Sequence, residues 1–261
     1  MPLPDHVTRF WRALDDRFGR VEPTWWGAVV TDARYPAIWD ANYARIDVAG
    51  DDLSAADVEA ELLPALGGVG TRVMHVVSFD PEATGPLLAE LSTRGHRLTF
   101  DLVMDFVDRP VEPASEEIAV EELPPDAIPW ERVGASFGLF GVEGPDEVAQ
   151  LRDIERDVLV PSGKRWFAVR DEGGDAVSVG AVIVLEGVAY LDNIATFPGS
   201  RGRGLATSIA SRMIDEAFGA GAEYASLFAD PDAREIVRMY ERLGFRGVGR
   251  LASTRGPIPS G

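Results

Sequence analysis

A turn rich in glycine and arginine, RGRGLA at residues 201–206, carries the clearest chemistry in this sequence. Apolar residues recur at helical spacing after it, so a helix is predicted to begin inside the turn. The first amides of a helix have no backbone acceptor and lie at the positive end of its dipole. The two glycines would let a phosphate approach those amides, and the two arginines would add positive charge. The turn is therefore predicted to bind an anion.

Two strand-like segments precede this turn. An apolar run at residues 177–185 is followed by Glu186-Gly187, which is typical of a tight reversal, and residues 188–196 form the second strand of the predicted hairpin. Pro198 ends that strand because proline has no amide hydrogen for a sheet ladder. The anion-binding turn is therefore predicted at a strand-to-helix junction.

The glycine spacing distinguishes between phosphate-binding motifs. The dinucleotide fingerprint G-x-G-x-x-G/A requires a small residue where Thr207 stands, which disfavours a nicotinamide-dependent oxidoreductase. The phosphate-binding loop of nucleotide hydrolases, G-x-x-x-x-G-K-[ST], does not occur. The turn does match [QR]-x-x-G-x-[GA], through Arg201, Gly204 and Ala206.

A second motif follows at residues 240–245, with the sequence YERLGF. Between the two motifs, residues 224–229 alternate like a strand, and Asp230-Pro231 is predicted to cap the next helix. The two motifs in this order closely resemble the coenzyme A loop and the last conserved helix of the GNAT acetyltransferase superfamily. The sequence departs from that pattern at Ala233, where relatives often have an asparagine.

The resemblance implies an N-acetyltransferase that uses acetyl-coenzyme A as cosubstrate and no metal. In relatives the pantetheine arm pairs with the central strand, and the pyrophosphate lies on the glycine turn. The residues implied to contact the cofactor are Ile194, Ala195, Thr196, Arg201, Gly202, Arg203, Gly204, Leu205 and Ala206.

Two residues are predicted to carry the chemistry. The resemblance places Tyr240 where it would protonate the departing thiolate as a general acid, although a buried core tyrosine is the alternative. Asp192, on the central strand, is the candidate general base, with a substrate anchor or a solvated surface carboxylate as alternatives and water as another possible base. All the histidines (His6, His75 and His96) lie in the first half of the chain, so none is an obvious base.

The first half repeats the element order of the second half. Residues 79–96 and 229–245 each give a strand end, an Asp-Pro pair, an apolar helix and a closing glycine. This predicts an α/β fold of two GNAT-like domains in tandem, each a mixed central sheet flanked by helices. The predicted domains are 1–110, a degenerate copy, and 117–261, the catalytic copy, with a linker at 111–116. The alternative is that unrelated α/β segments share this order.

The first copy is predicted to bind no coenzyme A. Residues 49–52, AGDD, stand in place of the glycine-arginine turn, and their carboxylates would repel a pyrophosphate. The position of the tyrosine falls at Glu90 or Leu91.

The remaining pattern predicts further elements. Residues 54–57 suggest a capping box at the start of a helix that Gly67-Gly68 ends. Residues 130–159 are predicted as broken helical segments, which wall the acceptor pocket in GNAT-like proteins. Each aromatic there is assigned to the core, with a contact to the first half as the alternative. The other predicted helices are 6–18 and one from Asp80-Pro81, and the other predicted strands are 25–30, 43–48, 72–79, 98–107, 118–121 and 165–170.

Composition bounds the partners. A formal net charge of −18 argues against nucleic acid and anionic membrane surfaces and favours a small cationic acceptor, although solubility alone would also explain it. No apolar run approaches the length of a membrane span, no signal peptide is evident, and the absence of cysteine is compatible with a cytoplasmic location. The acceptor would be a small-molecule or protein amine, and the protein a monomer or homodimer. A non-catalytic module that binds or senses acyl-coenzyme A is the alternative function.

Overall fold

The computed structural model describes residues 3–48, 52–108 and 118–258. The chain divides by its contacts into two compact units, Met1–Val103 with Val248–Gly261, and Met104–Gly247. The predicted linker at 111–116 lies outside the described residues. The division groups segments by packing and does not test whether the halves are copies, so the duplication stays a prediction.

The helices and strands are as follows. The α-helices are α1 Asp5–Asp15, α2 Ala55–Val69, α3 Gly85–Thr93, α4 Trp130–Phe137, α5 Pro145–Ile154, α6 Leu205–Gly219 and α7 Arg234–Leu243. The strands are β1 Arg20–Pro23, β2 Gly27–Thr31, β3 Tyr43–Ile46, β4 Val73–Ser78, β5 Arg97–Phe106, β6 Glu121–Leu123, β7 Arg165–Arg170, β8 Ala176–Leu185, β9 Val188–Thr196, β10 Tyr224–Ala229 and β11 Phe245–Pro257.

The first unit is built on strands in the order β1-β2-β3-β4-β11-β5. Neighbours are antiparallel from β1 to β3 and between β4 and β11, whereas β3 and β4 are parallel. Helices α2 and α3 cover the sheet, and their apolar faces join the strands in a core that includes Trp26, Ile46, Leu62, Met74 and Leu91.

The second unit places β10, β9, β8, β7 and β6 side by side. β6 to β9 are antiparallel, and β9 and β10 are parallel. Helix α6 packs on β8 and β9, and helix α4 contributes Val133 and Phe137 to a core with Trp166 and Ala195. Both units are therefore mixed sheets with packed helices, which confirms the predicted α/β class.

Three helix boundaries differ from the predictions. Helices α3 and α7 do not begin at the Asp-Pro pairs but at Gly85 and Arg234. Asp80 and Asp230 instead accept hydrogen bonds from the amides of Ala83 (3.2 Å) and Asp232 (2.8 Å), which closes a turn before each helix. Helix α2 continues through the predicted stop at Gly67-Gly68 and ends at Gly70, which has a φ of 82°.

Two smaller differences concern element ends. Helix α1 stops at Asp15, where the prediction extended it to residue 18, because the chain turns there with the Phe18 amide donating to the Asp15 carbonyl. Strand β6 covers 121–123 and not the predicted 118–121, since its pairing with β7 begins at Glu121.

Candidate active site

The site is organised around the hairpin of β8 and β9. Glu186 and Gly187 have positive φ angles of 50° and 74° and form the predicted reversal. The register of the hairpin shifts between Val179 and Ala181, and Asn193, on the facing strand, has a φ of 52°. This β-bulge lies within the predicted central strand, where it changes the direction of the neighbouring side chains.

Strands β9 and β10 separate toward their carboxyl ends. They are paired from Val188 with Tyr224 to Tyr190 with Ser226, and within the described residues the register ends there. β9 continues to Thr196 and β10 to Ala229. The edge of β9 that faces β10 is thus open beyond Tyr190, and an extended ligand could pair with it as an added strand.

The glycine turn follows the open end of β9. Gly202 and Gly204 have φ angles of 74° and 79°, which favour glycine. Among the described residues, a Cβ would meet nothing within 4 Å at Gly202, and at Gly204 only the Ile118 side chain at 3.8 Å. The space above the turn is therefore open enough for a phosphate group to reach the backbone.

Helix α6 begins directly after this turn with no side-chain cap. Its first backbone bond runs from the Ser208 amide to the Gly204 carbonyl at 3.0 Å. The amides before Ser208 are those that a helix leaves without an internal acceptor. The turn and the helix end together fit an anionic group such as the pyrophosphate of coenzyme A.

The predicted cofactor residues lie along the end of β9, the glycine turn and the start of α6, and they differ in burial. Ala195 is buried and paired with β8, Ile194 and Thr196 are half-buried, and residues 201–204 are exposed. Arg201 donates from Nε to the Thr196 carbonyl at 3.1 Å, which joins the turn to the end of β9. Leu205 is buried and anchors the start of α6.

Tyr240 lies on α7 with its ring buried against Phe245, 5.8 Å between the ring centroids. Its hydroxyl makes no hydrogen bond to the described residues, yet it is not one of the enclosed polar atoms. Burial, and then the charge of Asp192, raise the pKa of Tyr240 to about 12. The two predicted catalytic residues are therefore close enough to interact, and Tyr240 stays protonated at neutral pH.

Asp192 is part of a cluster that the sequence reasoning missed. Its Oδ2 accepts a hydrogen bond of 2.6 Å from Lys164 Nζ, and its Oδ1 accepts one of 2.8 Å from the Asn193 amide. Lys164 also donates to Glu155 Oε1 at 2.7 Å. The Asp192 side chain keeps 34% of its surface exposed, whereas Lys164 and Glu155 are buried.

The charges of this cluster are coupled. Burial would lower the pKa of Lys164, but the charges of Asp192 and Glu155 outweigh it and raise that pKa. Burial raises the pKa of Glu155, and Asp192 adds to this effect against the opposing charge of Lys164. Lys164 therefore remains a cation between two carboxyl groups.

The histidines His6, His75 and His96 all belong to the first unit. Burial lowers the pKa of His75 to about 3, against a smaller opposing effect of the Trp39 backbone. His75 is neutral at physiological pH.

The helical segments at 130–159 contain both core and surface aromatics. Phe137 is buried, as predicted, but Phe140 is 54% exposed, so its assignment to the core was wrong. The short 3-10 turn that holds Phe140 ends at Gly141 and turns the ring outward. Arg132 stacks on the Phe197 ring at 4.1 Å, next to the end of β9.

Two negative findings concern the described part of the chain. It contains no group of three or more His, Cys, Asp or Glu residues that could hold a metal ion. None of its helices combines the length and apolar character that crossing a membrane requires.

Comparisons with known proteins show which families and folds the chain is similar to. Residues 130–245 match the model of the acetyltransferase (GNAT) family. An uncharacterised N-acetyltransferase of Escherichia coli K12, YjgM, is 25% identical over 143 residues, which cover 53% of this chain and 85% of that protein.

Two solved structures share the fold. A GCN5-related N-acetyltransferase from Kribbella flavida aligns with a TM-score of 0.61 and 18% identity, over 98% of this chain and 95% of that one. A tandem GNAT protein from the clavulanic acid biosynthesis pathway aligns with a TM-score of 0.54 and 12% identity, over 83% of this chain and 75% of that one.

The family match and the named relatives together support an acetyltransferase enzyme. The similarity to the GNAT acetyltransferase family lies in residues 130–245 of the chain.

Proposed function

We propose that this protein transfers an acetyl group from acetyl-coenzyme A to a primary amine on a small, cationic acceptor. The observation that carries the proposal is the separation of β9 from β10 directly beside the uncapped start of α6. An open strand edge suits the amide-containing pantetheine arm, and a helix end behind glycines suits a pyrophosphate.

In this proposal residues 194–196 hold the pantetheine arm and residues 201–206 hold the pyrophosphate. Backbone groups would supply most of the contacts to the pyrophosphate, because the two glycines of the turn have no side chain and the space beside their Cα atoms is open. Arg201 and Arg203 add charge at an exposed position. A backbone amide of β9 would also polarise the thioester carbonyl.

The reaction requires two proton transfers. An alkylammonium group must lose one proton before its nitrogen can attack the thioester carbon. As the new C–N bond replaces the C–S bond, the nitrogen loses a second proton and the sulfur gains one. One proton is therefore released to solvent in each turnover.

Tyr240 is proposed to deliver the proton to the sulfur. With a pKa of about 12 its hydroxyl is a proton donor throughout the physiological range. A thiolate, whose conjugate acid has a pKa of about 8.5, is a weaker base than the phenolate that Tyr240 would become. The proton transfer to sulfur should therefore be concerted with proton loss from the nitrogen to the Tyr240 oxygen. The proton would then pass from nitrogen through the Tyr240 hydroxyl to sulfur.

Asp192 is proposed to face the acceptor. Its carboxylate lies at the bulge of the central strand, it is partly exposed, and its charge reaches Tyr240. A carboxylate at this place would attract an ammonium group and accept its first proton, directly or through water. The net charge of −18 favours a cationic acceptor over long range.

Two isosteric variants at Gly204 test the proposal. Asparagine and aspartate are both tolerated at positive φ, so Gly204→Asn and Gly204→Asp impose similar backbone strain. Only aspartate places a negative charge beside the pyrophosphate. We expect coenzyme A affinity to be about 100-fold lower in the aspartate variant than in the asparagine variant, a difference of roughly 3 kcal/mol.

The same pair of variants is assayed for thiol release with acetyl-coenzyme A and a panel of primary amines. We expect thiol release with at least one amine. This release should be lost in Gly204→Asp and kept in Gly204→Asn. Coenzyme A binding without release for any amine would instead indicate a binding or sensing module. Equal affinity of the two variants, with the fold intact by circular dichroism, would contradict the cofactor site.

A further inference from the structure

Lys164 is the only lysine in the sequence, although lysine and arginine together number 25. It is also buried, with 1% of its side chain exposed. A guanidinium is a planar fork that suits one bidentate partner, whereas an ammonium is a compact charge with three rotatable donors. Every other basic side chain of Lys or Arg type in the sequence is an arginine, so position 164 is expected to require the compact, rotatable ammonium of lysine.

The contacts of Lys164 show what that property does. Its ammonium donates in two directions, to Asp192 Oδ2 at 2.6 Å and to Glu155 Oε1 at 2.7 Å. The Asn193 side chain donates to the same two oxygens, at 3.2 and 3.1 Å. The Trp166 ring lies 5.6 Å from the ammonium. The cation thus links a buried carboxyl group to a partly exposed one.

Backbone irregularities bring these groups together. Glu155 begins a π-helical turn, Glu155–Leu159, that continues α5, and the Lys164 amide donates to the Leu159 carbonyl at 2.9 Å. Asn193 has its positive φ at the bulge of β9. Turns of this kind are frequent at functional sites because they redirect side chains that regular structure would point elsewhere.

Two buried atoms of the cluster have no hydrogen-bond partner of normal geometry among the residues that the structure describes. They are Glu155 Oε2 and Trp166 Nε1. The indole of Trp166 lies near enough to lower the pKa of Glu155 against the stronger effect of burial.

We propose that Lys164 is a positioning residue, which holds the Asp192 carboxylate at the bulge of β9 toward the acceptor amine, while Glu155 anchors the ammonium from behind. The inference rests on the proposed function, in which Asp192 receives the proton of the amine. The charged or titratable groups that face Asp192 are then Lys164, Glu155 and Tyr240. Removing the cation should make Asp192 harder to ionise and free its side chain to rotate.

Lys164→Met and Glu155→Gln test this in matched fashion. Both disturb the same buried cluster, but only the first removes the cation from Asp192, since a glutamine oxygen still accepts from Lys164. In the pH profile of kcat/KM for the best amine, the acid limb is the fall in rate at low pH. In Lys164→Met we expect this limb to shift to higher pH by about one unit or more. We also expect kcat to fall at least tenfold with the KM for acetyl-coenzyme A unchanged. In Glu155→Gln the limb should not rise.

A double variant, Lys164→Met with Glu155→Gln, removes one charge of each sign and is the form to assay where Lys164→Met alone does not fold. It should show the same upward movement of the acid limb. A purely structural role predicts lower stability in every variant and no movement of the limb in any.

Carbon-13 NMR titration of the Asp192 carboxyl group in the ligand-free protein separates this inference from the proposed function. Its midpoint should rise in Lys164→Met, relative to wild type, whether or not any amine is acetylated. An unmoved midpoint in Lys164→Met, or an equal rise in Glu155→Gln, would overturn the role of Lys164. A raised midpoint without turnover would support it and count against the proposed reaction.

Discussion

The two units differ in how the helix after a parallel strand begins. In the first unit α2 follows β3, and in the second unit α6 follows β9. Helix α2 begins with a capping box, in which Ser54 Oγ accepts from the Asp57 amide and Asp57 Oδ2 accepts from the Ser54 amide. Glu90 Oε2 accepts from the Ala55 amide at 2.8 Å. Helix α6 begins after a glycine with no side-chain cap. The first amides of α2 therefore find acceptors within the protein, whereas the first amides of α6 remain available to a ligand.

The parallel strands differ in the same sense. β3 and β4 are paired up to Ile46 with Ser78, the last residue of each strand. β9 and β10 are paired only up to Tyr190 with Ser226, before either strand ends. A closed pair offers no edge to an extended ligand, whereas the separated pair does.

This comparison shows how one element order can serve two purposes. The carboxylates of Asp57 and Glu90 accept hydrogen bonds from the Ser54 and Ala55 amides, so these amides at the start of α2 already have acceptors within the chain. Glu90 is also one of the two positions predicted to match Tyr240. That the first half binds no coenzyme A stays a prediction, and residues 49–51, on which it was partly based, lie outside the described part of the chain.

The largest effect is expected from Tyr240→Phe, which removes the proposed proton donor from the second unit. Turnover at saturating amine should fall by roughly 10²- to 10⁴-fold, toward the low end because a thiolate leaves readily. The hydroxyl makes no hydrogen bond to the described residues, so stability and coenzyme A affinity should hardly change.

Tyr224→Phe is the matched control for that measurement, since Tyr224 lies at the start of β10 and is 41% exposed. It should leave turnover unchanged. A loss below threefold in Tyr240→Phe would transfer the role to water or to another residue. Lost stability with intact turnover would mean that the hydroxyl has a structural role.

A smaller effect is expected from Ser54→Ala, which opens the capping box of the first unit. The free energy of unfolding should fall by about 1 kcal/mol, as for other N-cap replacements. Coenzyme A affinity and stoichiometry should stay the same, because the carboxylates of Asp57 and Glu90 remain. Chemical denaturation measures the first quantity and calorimetry the second.

Ser208→Ala is the comparison for Ser54→Ala. Ser208 lies in the first turn of α6 and donates to the Gly204 carbonyl at 3.3 Å, so it caps no amide. Its replacement should cost less than 0.5 kcal/mol, as for a typical surface change. An equal loss of unfolding free energy in Ser54→Ala and Ser208→Ala would show that the capping box stabilises α2 no more than an ordinary surface hydroxyl does.

The sequence was sufficient where local patterns decide the structure. β7, β9 and β10 occupy their predicted residues because their apolar residues are bounded by glycine or proline. The capping box at Ser54 and the start of α6 after Gly204 follow from residue types within one turn of the chain. The open edge of β9 was implied by the resemblance alone.

The misses have physical reasons. Asp-Pro serves both helix caps and tight turns, so the sequence could not decide where α3 and α7 begin. Two glycines lower helix stability by about 1 kcal/mol each, a cost that α2 tolerates with a fully buried apolar face.

The cluster of Lys164 was missed because its carboxylate partners lie 9 and 28 residues away along the chain. Only the packing of the π-helical turn against the bulge of β9 brings them together. One signal was available in the sequence, since a single lysine among so many arginines marks a position with a special requirement.

Calorimetric titration of the wild-type protein with coenzyme A tests the central claim most directly. We expect one site per chain, with an affinity about 100-fold lower in Gly204→Asp than in Gly204→Asn and unchanged in Ser54→Ala. Two sites per chain, or one site that Gly204→Asp leaves at full affinity, would contradict it, because coenzyme A would then bind somewhere other than the open edge of β9 and the start of α6.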